Sequence, residues 1–191
     1  MQLDALDELA ARSFLIIDRA VAPSIDTSVW PAARVLLLDA HEDTKTLQGC
    51  GALLSRLIAE GCRRDDTLIG IGGGITQDVV AFTASILYRG VPWVYVPTTL
   101  LGLCDSCVGG KTSINHTGAK NLLGNFYPPV EIRIATEFLE TLPESAIRSG
   151  IGEIWHYLIF AGSASLHPMA ERLEALLADR SGLVPYIYES L

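Results

Sequence analysis

The sequence predicts an α/β fold built on a parallel sheet, followed by the beginning of an α-helical domain. Short apolar runs occur at 14–17, 35–38, 68–71 and 93–96, and 132–135, interrupted by Arg133, is read as a fifth. Runs of four without period-two alternation suit strands covered on both faces, as in a parallel sheet. Helical spacing fills the gaps: Leu47, Leu54, Leu57 and Ile58 lie between the second and third runs, and 78–88 can form a helix between the third and fourth. The order strand, helix, strand, helix, strand requires right-handed crossovers and gives a Rossmann-like domain over 1–140. Past Thr141 no strand-like run remains. A helix is expected from Pro143-Glu144 to Phe160, and a second one carries Leu166, Met169, Leu173, Leu176 and Leu177 on one stripe, so 141–191 reads as an incomplete helical domain.

Composition narrows the function. The 191 residues are 49% hydrophobic and 19% charged, which describes a packed interior rather than a disordered chain. The net charge is −8 and the 14 Lys and Arg residues are scattered, which argues against nucleic acid, whose affinity needs clustered cations. No apolar run approaches the ~18 residues of a membrane span, and residues 1–8 carry no basic leader, so a cytoplasmic location is expected. The four cysteines (Cys50, Cys62, Cys104, Cys107) do not form a disulfide framework. Cys104 and Cys107 make a C-x-x-C, but no second pair at zinc-ribbon spacing supports a metal reading.

The densest chemistry lies at 105–121, where Asp105, Lys111, Lys120 and Asn121 stand among glycines and the two lysines have little helical or strand reason for their charge, a pattern suited to a phosphorylated or polyhydroxylated small molecule. Upstream, Gly70-Ile71-Gly72-Gly73-Gly74 follows an expected strand and opens an expected helix, where glycines let the backbone approach a pyrophosphate. The G-x-G-x-x-G pattern is not met, because position 75 is Ile, and a tight strand-to-helix turn is the competing reading. Asp78 is either a first-turn carboxylate favoured by the helix dipole or a ligand to ribose or nicotinamide. Asp18, Glu42 and Lys45 lie at or after strand ends, where open α/β sheets bind ligands, and suit ribose and adenine; each taken alone also reads as a solvated loop charge. Arg89 is either an anion ligand or a helix-end cation. Glu153 and His156, three apart on one helix face, are either two metal ligands or a surface pair; His41 and His167 read as solvated.

Together the segments Gly-Gly-Gly-Ile-Thr-Gln-Asp, Tyr-Arg-Gly-Val-Pro, Val-Pro-Thr-Thr-Leu-Leu, Asp-Ser-Cys-Val-Gly-Gly-Lys-Thr, Ile-Asn-His, Lys-Asn-Leu-Leu-Gly, Phe-Tyr-Pro-Pro, Glu-Thr-Leu-Pro-Glu and Ser-Gly-Ile-Gly-Glu resemble the 3-dehydroquinate synthase family, in order and spacing. The resemblance runs over about 13–160 and is most specific over 68–153. It implies an NAD-binding domain coupled to a helical metal domain. It also implies conversion of a heptulosonate 7-phosphate to 3-dehydroquinate and phosphate, a lyase step of aromatic amino acid biosynthesis that proceeds by transient oxidation, elimination and aldol closure. It assigns NAD to Asp18, Glu42, Lys45, Gly73, Gly74, Asp78, Thr98, Thr99, Thr141 and Leu142. Asp105, Lys111, Lys120 and Asn121 would hold substrate, Arg89 would reach the phosphate across a homodimer interface, and Glu153 would bind zinc or cobalt. His156 replaces the lysine usual in the family, and imidazole is shorter, which puts the substrate contact at that point in doubt.

The family's remaining zinc ligands are histidines of later segments. The resemblance therefore implies a chain with the NAD half present and the metal half curtailed, inactive alone, and either a fragment of a longer reading frame, one half of a split enzyme whose partner is the missing C-terminal half, or a degenerate relative retained for binding. Related cyclases that make 2-deoxy-scyllo-inosose or valiolone share the scaffold, although the intact Gly-Gly-Lys-Thr favours the dehydroquinate branch. A glycerol-dehydrogenase-type polyol dehydrogenase and a non-catalytic NAD-binding or dimerisation module stay open as alternatives.

Overall fold

The computed structural model describes residues 12–191; the reading of residues 1–8 lies outside them. Five parallel strands, β1 (Ser13–Asp18), β2 (Val35–Leu38), β3 (Thr67–Gly72), β4 (Trp93–Pro97) and β7 (Glu131–Ile132), form one sheet in the order β2-β1-β3-β4-β7. Helices α1 (Leu47–Ala59) and α2 (Gly74–Ile86) pack on the face built by Phe14, Ile16, Leu68, Trp93 and Tyr95, burying Leu53, Leu57, Val79 and Val80 against it. The alternate residues Leu15, Ile17, Ile69, Ile71, Val94 and Val96 point to the other face, covered by Ile25, Trp30 and Phe138 from short 3-10 segments and loops. Burial on both faces is why these strands read as unbroken apolar runs.

After β4 the chain makes a π-helical turn at Gly102–Ser106 and an antiparallel hairpin of β5 (Ile114–His116) and β6 (Ala119–Leu123). The helical segment follows: α3 (Glu144–Ala161), α4 (Leu166–Glu171), α5 (Leu173–Ala178) and α6 (Val184–Ser190). Its core joins Ile147, Ile151, Ile154, Leu158, Met169, Leu176 and Ile187 to Leu100, Leu103 and Cys104 from the segment after β4. Among the described residues no helix is long and apolar enough to cross a membrane.

Four expectations need correction. The strand expected at 132–135 stops at Ile132, because Ile134 turns into the helical core and Ala135 into the outer sheet face. The helix expected at 78–88 starts at Gly74 and stops at Ile86; Tyr88 takes φ 51° and its hydroxyl donates to the Cys62 carbonyl at 2.9 Å. The stripe at 166–177 is two helices broken at Arg172, which lets both contact α3. Finally, Lys120 does have a strand context, since it belongs to β6, and Lys111 sits at an isolated bridge opposite Phe126.

Candidate active site

Strand β3 ends at Gly72 and α2 begins at Gly74, so the glycine loop lies at the carboxyl edge of the sheet. Beside it, the Thr98 amide donates to the Gly72 carbonyl at 3.0 Å and Thr99 Oγ1 accepts from the Gly102 amide at 3.0 Å. A Cβ on Gly73 would meet Thr99 Cγ2 at 2.9 Å, so glycine is what lets these two loops close together. The result is a small cleft of about 230 Å³ lined by Asp18, Gly73, Gly74, Thr76 and Thr99. Two features leave it polar and unsatisfied. Gly73 gives α2 no side-chain cap, and the buried Thr76 Oγ1 has no hydrogen-bond partner among the described residues. First-turn amides of a helix and a free hydroxyl are the donors a dinucleotide's phosphates need, so this cradle fits NAD.

A polar network stands behind the cleft. Lys45 Nζ lies 2.6 Å from Asp78 Oδ2 and donates to Asn121 Oδ1 at 2.7 Å, while the Ser113 amide donates to Asp78 Oδ1 at 2.8 Å. Residues from the β2–α1 loop, α2 and the hairpin therefore meet at one ammonium. Lys45 is 8% exposed and buries its stem under the hairpin. Burial pushes the Asp78 carboxyl above its ordinary range, and Lys45 and the Ser113 amide only partly offset it. Glu42 sits at the outer edge, with Asn115 Nδ2 donating to its Oε2 at 2.8 Å and Lys120 Nζ at 3.5 Å. The Asn115 bond is the main reason its carboxyl titrates below the usual range, with Lys120 helping. A cleft of about 610 Å³ opens here between α1 and the hairpin, lined by Glu42, Gln48, Asn115 and Lys120 among others.

The third cluster links the sheet segment to α3. Asp105, in the π-helical turn, accepts at Oδ1 from the Tyr157 hydroxyl at 2.6 Å. Gln77 of α2 reaches the same turn, its Nε2 donating to the Ser106 carbonyl at 2.5 Å. The Asp105 bond, with burial adding, pushes the Tyr157 phenol up to about 12. Glu153, half-buried one turn before Tyr157, adds to the rise at Tyr157 and at Cys104, whose thiol burial pushes up to about 12. Stability from the phenol is therefore complete below tyrosine's ordinary value of about 10 and is lost as pH rises through about 12. An alkaline ultraviolet titration should show several late tyrosines, Tyr95 and Tyr127 being raised by burial, and Asp105→Asn should bring one of them down; a titration unchanged by that substitution would disprove the contact.

Of the residues singled out from sequence, Glu42, Lys45, Asp78, Lys120 and Asn121 share the network, and Asp18, Gly73, Gly74 and Thr99 share the small cleft. Thr141 and Leu142 sit where the 3-10 segment Thr136–Thr141 meets α3, with Thr141 Oγ1 donating to the Phe138 carbonyl at 3.0 Å. Lys111 is exposed on the loop before the hairpin. Arg89, expected to act across a dimer interface, stands within its own chain at φ 68° beyond the far end of α2, about 20 Å of helix from the glycine loop. His156 is exposed and packs on Phe160, ring centroids 4.8 Å apart. Among the described residues no three His, Cys, Asp or Glu side chains converge as a metal-ligating group, so the residues present do not fit a complete metal site. Cys104 and Cys107 are buried with their thiols turned to helix carbonyls of Leu101 and Leu103. Sequence reading missed Thr76, Gln77, Asn115 and Tyr157; Thr76, Gln77 and Asn115 stood in quoted motifs but without a role.

A family profile, 3-dehydroquinate synthase N-terminal, matches residues 35–149. The 3-dehydroquinate synthase of Teredinibacter turnerae is 40% identical over 154 residues, 81% of this chain and 43% of that one. A structure of 2-deoxy-scyllo-inosose synthase complexed with carbaglucose-6-phosphate, NAD+ and Co2+ superposes with a TM-score of 0.71 at 28% identity, covering 81% of this chain and 46% of the other. The 2-epi-5-epi-valiolone synthase of Streptomyces hygroscopicus, with NAD+ and Zn2+ bound, shares the fold at a TM-score of 0.79 and 24% identity, over 97% of this chain and 55% of the other. This chain spans 39–48% of the length of the curated relatives it matches. A matched profile over more than half its residues, and close relatives over most of them, place the chain in the 3-dehydroquinate synthase family.

Proposed function

We propose that this chain is the NAD-binding and substrate-anchoring part of a 3-dehydroquinate synthase, acting on a phosphorylated sugar acid. The observation that carries the reading is the glycine–threonine cradle with its unpartnered Thr76 hydroxyl at the uncapped start of α2. NAD bound there would supply a hydride acceptor for a substrate alcohol. The chain's own residues account for binding and orientation. Gly73, Gly74 and Thr99 would receive the pyrophosphate, with Glu42 and Asp18 at the ends of neighbouring strands accepting from ribose hydroxyls. Lys120 is 72% exposed and only loosely paired, so its ammonium is free to neutralise a carboxylate or phosphate, as is the exposed Lys111. Asp105 is held by Tyr157 with one oxygen still able to accept a substrate hydroxyl.

Glu153 would serve as a metal ligand by the family resemblance, and with no three-residue ligand group among the described residues we derive no metal step. Phosphate release by the chain alone is accordingly expected to be absent. Calorimetric titration tests the binding half: NAD should bind saturably, and Gly73→Val should weaken it by at least about tenfold by driving a side chain into Thr99. Absence of NAD binding would overturn the reading. Assays of heptulosonate phosphate against glycerol separate the cyclase from a polyol dehydrogenase: glycerol oxidation without phosphate release would favour the latter.

A further inference from the structure

Asn115 stands between the two halves of the site. It leads the hairpin out of the sheet region, and its backbone amide donates to the Lys45 carbonyl at 2.7 Å, stitching β5 to the β2–α1 loop. Its side chain then works in two directions. Nδ2 donates to Glu42 Oε2 at 2.8 Å and to the Glu42 carbonyl at 3.3 Å, while Oδ1 accepts from the Asn121 amide at 2.9 Å. Asn121 has φ 56°, a left-handed backbone that a residue with a Cβ adopts only when something holds it. The Asn115 oxygen holds its amide, and Lys45 holds its side chain at 2.7 Å.

Only an amide can do this. A carboxylate has no donor for Glu42 and would repel it, a hydroxyl is too short to span both groups, and alanine offers neither contact. The Asn115 side chain also lines the cleft of about 610 Å³ whose rim carries Glu42 and Lys120. Glu42 gives Oε2 to Asn115 and holds Oε1 3.5 Å from Lys120 Nζ, and its side chain, 48% exposed, lines the cleft where a hydroxylated ligand could reach it.

We propose that Asn115 is a positioning residue that couples the dinucleotide and substrate sides of this site: it aims the Glu42 carboxylate at a ribose diol while fixing Asn121 for the substrate. The proposal rests on the NAD reading above. The coupling runs through one planar group, so disturbing either end disturbs the other. A residue with a purely structural part would weaken both sides independently of Glu42.

The test is a double-mutant cycle read by NAD calorimetry, with thermal melts as the folding control. Asn115→Ala and Glu42→Gln should each weaken NAD about tenfold, and the double variant should be no weaker than about the worse single one. Asn115→Asp, which is isosteric and keeps the acceptor for Asn121, should weaken NAD at least as much as Asn115→Ala and serves as the decisive variant if the latter does not fold. Wild-type protein that fails to bind NAD would overturn the dinucleotide reading and the coupling with it. Wild-type binding together with unchanged affinity in the Asn115 variants, or with losses that simply add, would overturn the coupling alone.

Discussion

Replacing Lys45 by methionine is expected to destabilise the protein by about 3 kcal/mol, the cost of leaving a buried carboxylate without its counter-ion. Methionine matches the buried stem but leaves Asp78, whose side chain is 17% exposed, with the Ser113 amide as its remaining partner. The loss depends on pH in a stated direction. Burial already raises the Asp78 carboxyl, so its favourable contribution is complete below the unfolded value of about 4 and is lost as pH rises through the higher folded value. Removing Lys45 moves that folded value further up. Lys45→Met should therefore lose least stability at mildly acid pH and most near neutrality, as urea denaturation at several pH values would show. Adding Asp78→Asn should restore most of the stability without restoring NAD affinity. An unchanged urea midpoint in the single variant would mean that the ion pair is not formed.

A comparable loss, of about 2–3 kcal/mol, is expected for Gly49→Ala, even though alanine is the better helix former by about 1 kcal/mol. A Cβ at Gly49 would lie 2.0 Å from the Thr44 carbonyl oxygen and 2.9 Å from its carbon. The obstacle is backbone, so no rotamer relieves it, and the loop carrying Glu42 and Lys45 would have to move. Two residues on, a Cβ at Gly51 would meet nothing within 4 Å. Gly51→Ala should therefore stabilise by up to about 1 kcal/mol, so two identical substitutions in α1 should shift the denaturation midpoint in opposite directions. Shifts of the same sign would show that helix propensity rather than the Thr44 contact controls this turn.

The strands were legible because burial on both faces writes itself as uninterrupted apolar residues, and β2 and β3 lie where those runs are. The hairpin was not. Ala119, Lys120, Asn121 and Leu122 are all exposed, so neither a buried stripe nor an alternation marks β6. The start of α2 was set late because Gly74 and Ile75 look like loop residues next to a glycine run, while the helix begins directly after Gly73. The members of the site could be named individually from their setting at strand ends and in motifs. Their pairing could not, since Lys45 and Asn121 are separated by 76 positions and meet only after the hairpin folds back over α1. Tyr157 was hidden for the same reason: on α3 it reads as one more aromatic, and only the packing of α3 on the segment after β4 brings it to Asp105.

The four buried thiols have a practical corollary. Burial pushes Cys50, Cys62 and Cys107 up to about 11 and Cys104 up to about 12, so near neutral pH almost none is thiolate and none is open to reagent while the fold is closed. Alkylation is then gated by local opening. Cys50, Cys62 and Cys107 belong to the core beneath α1 and α2, and Cys104 to the helical core. The native cysteines thus form a ready-made kinetic reporter that times the breathing of each core separately, without an engineered label.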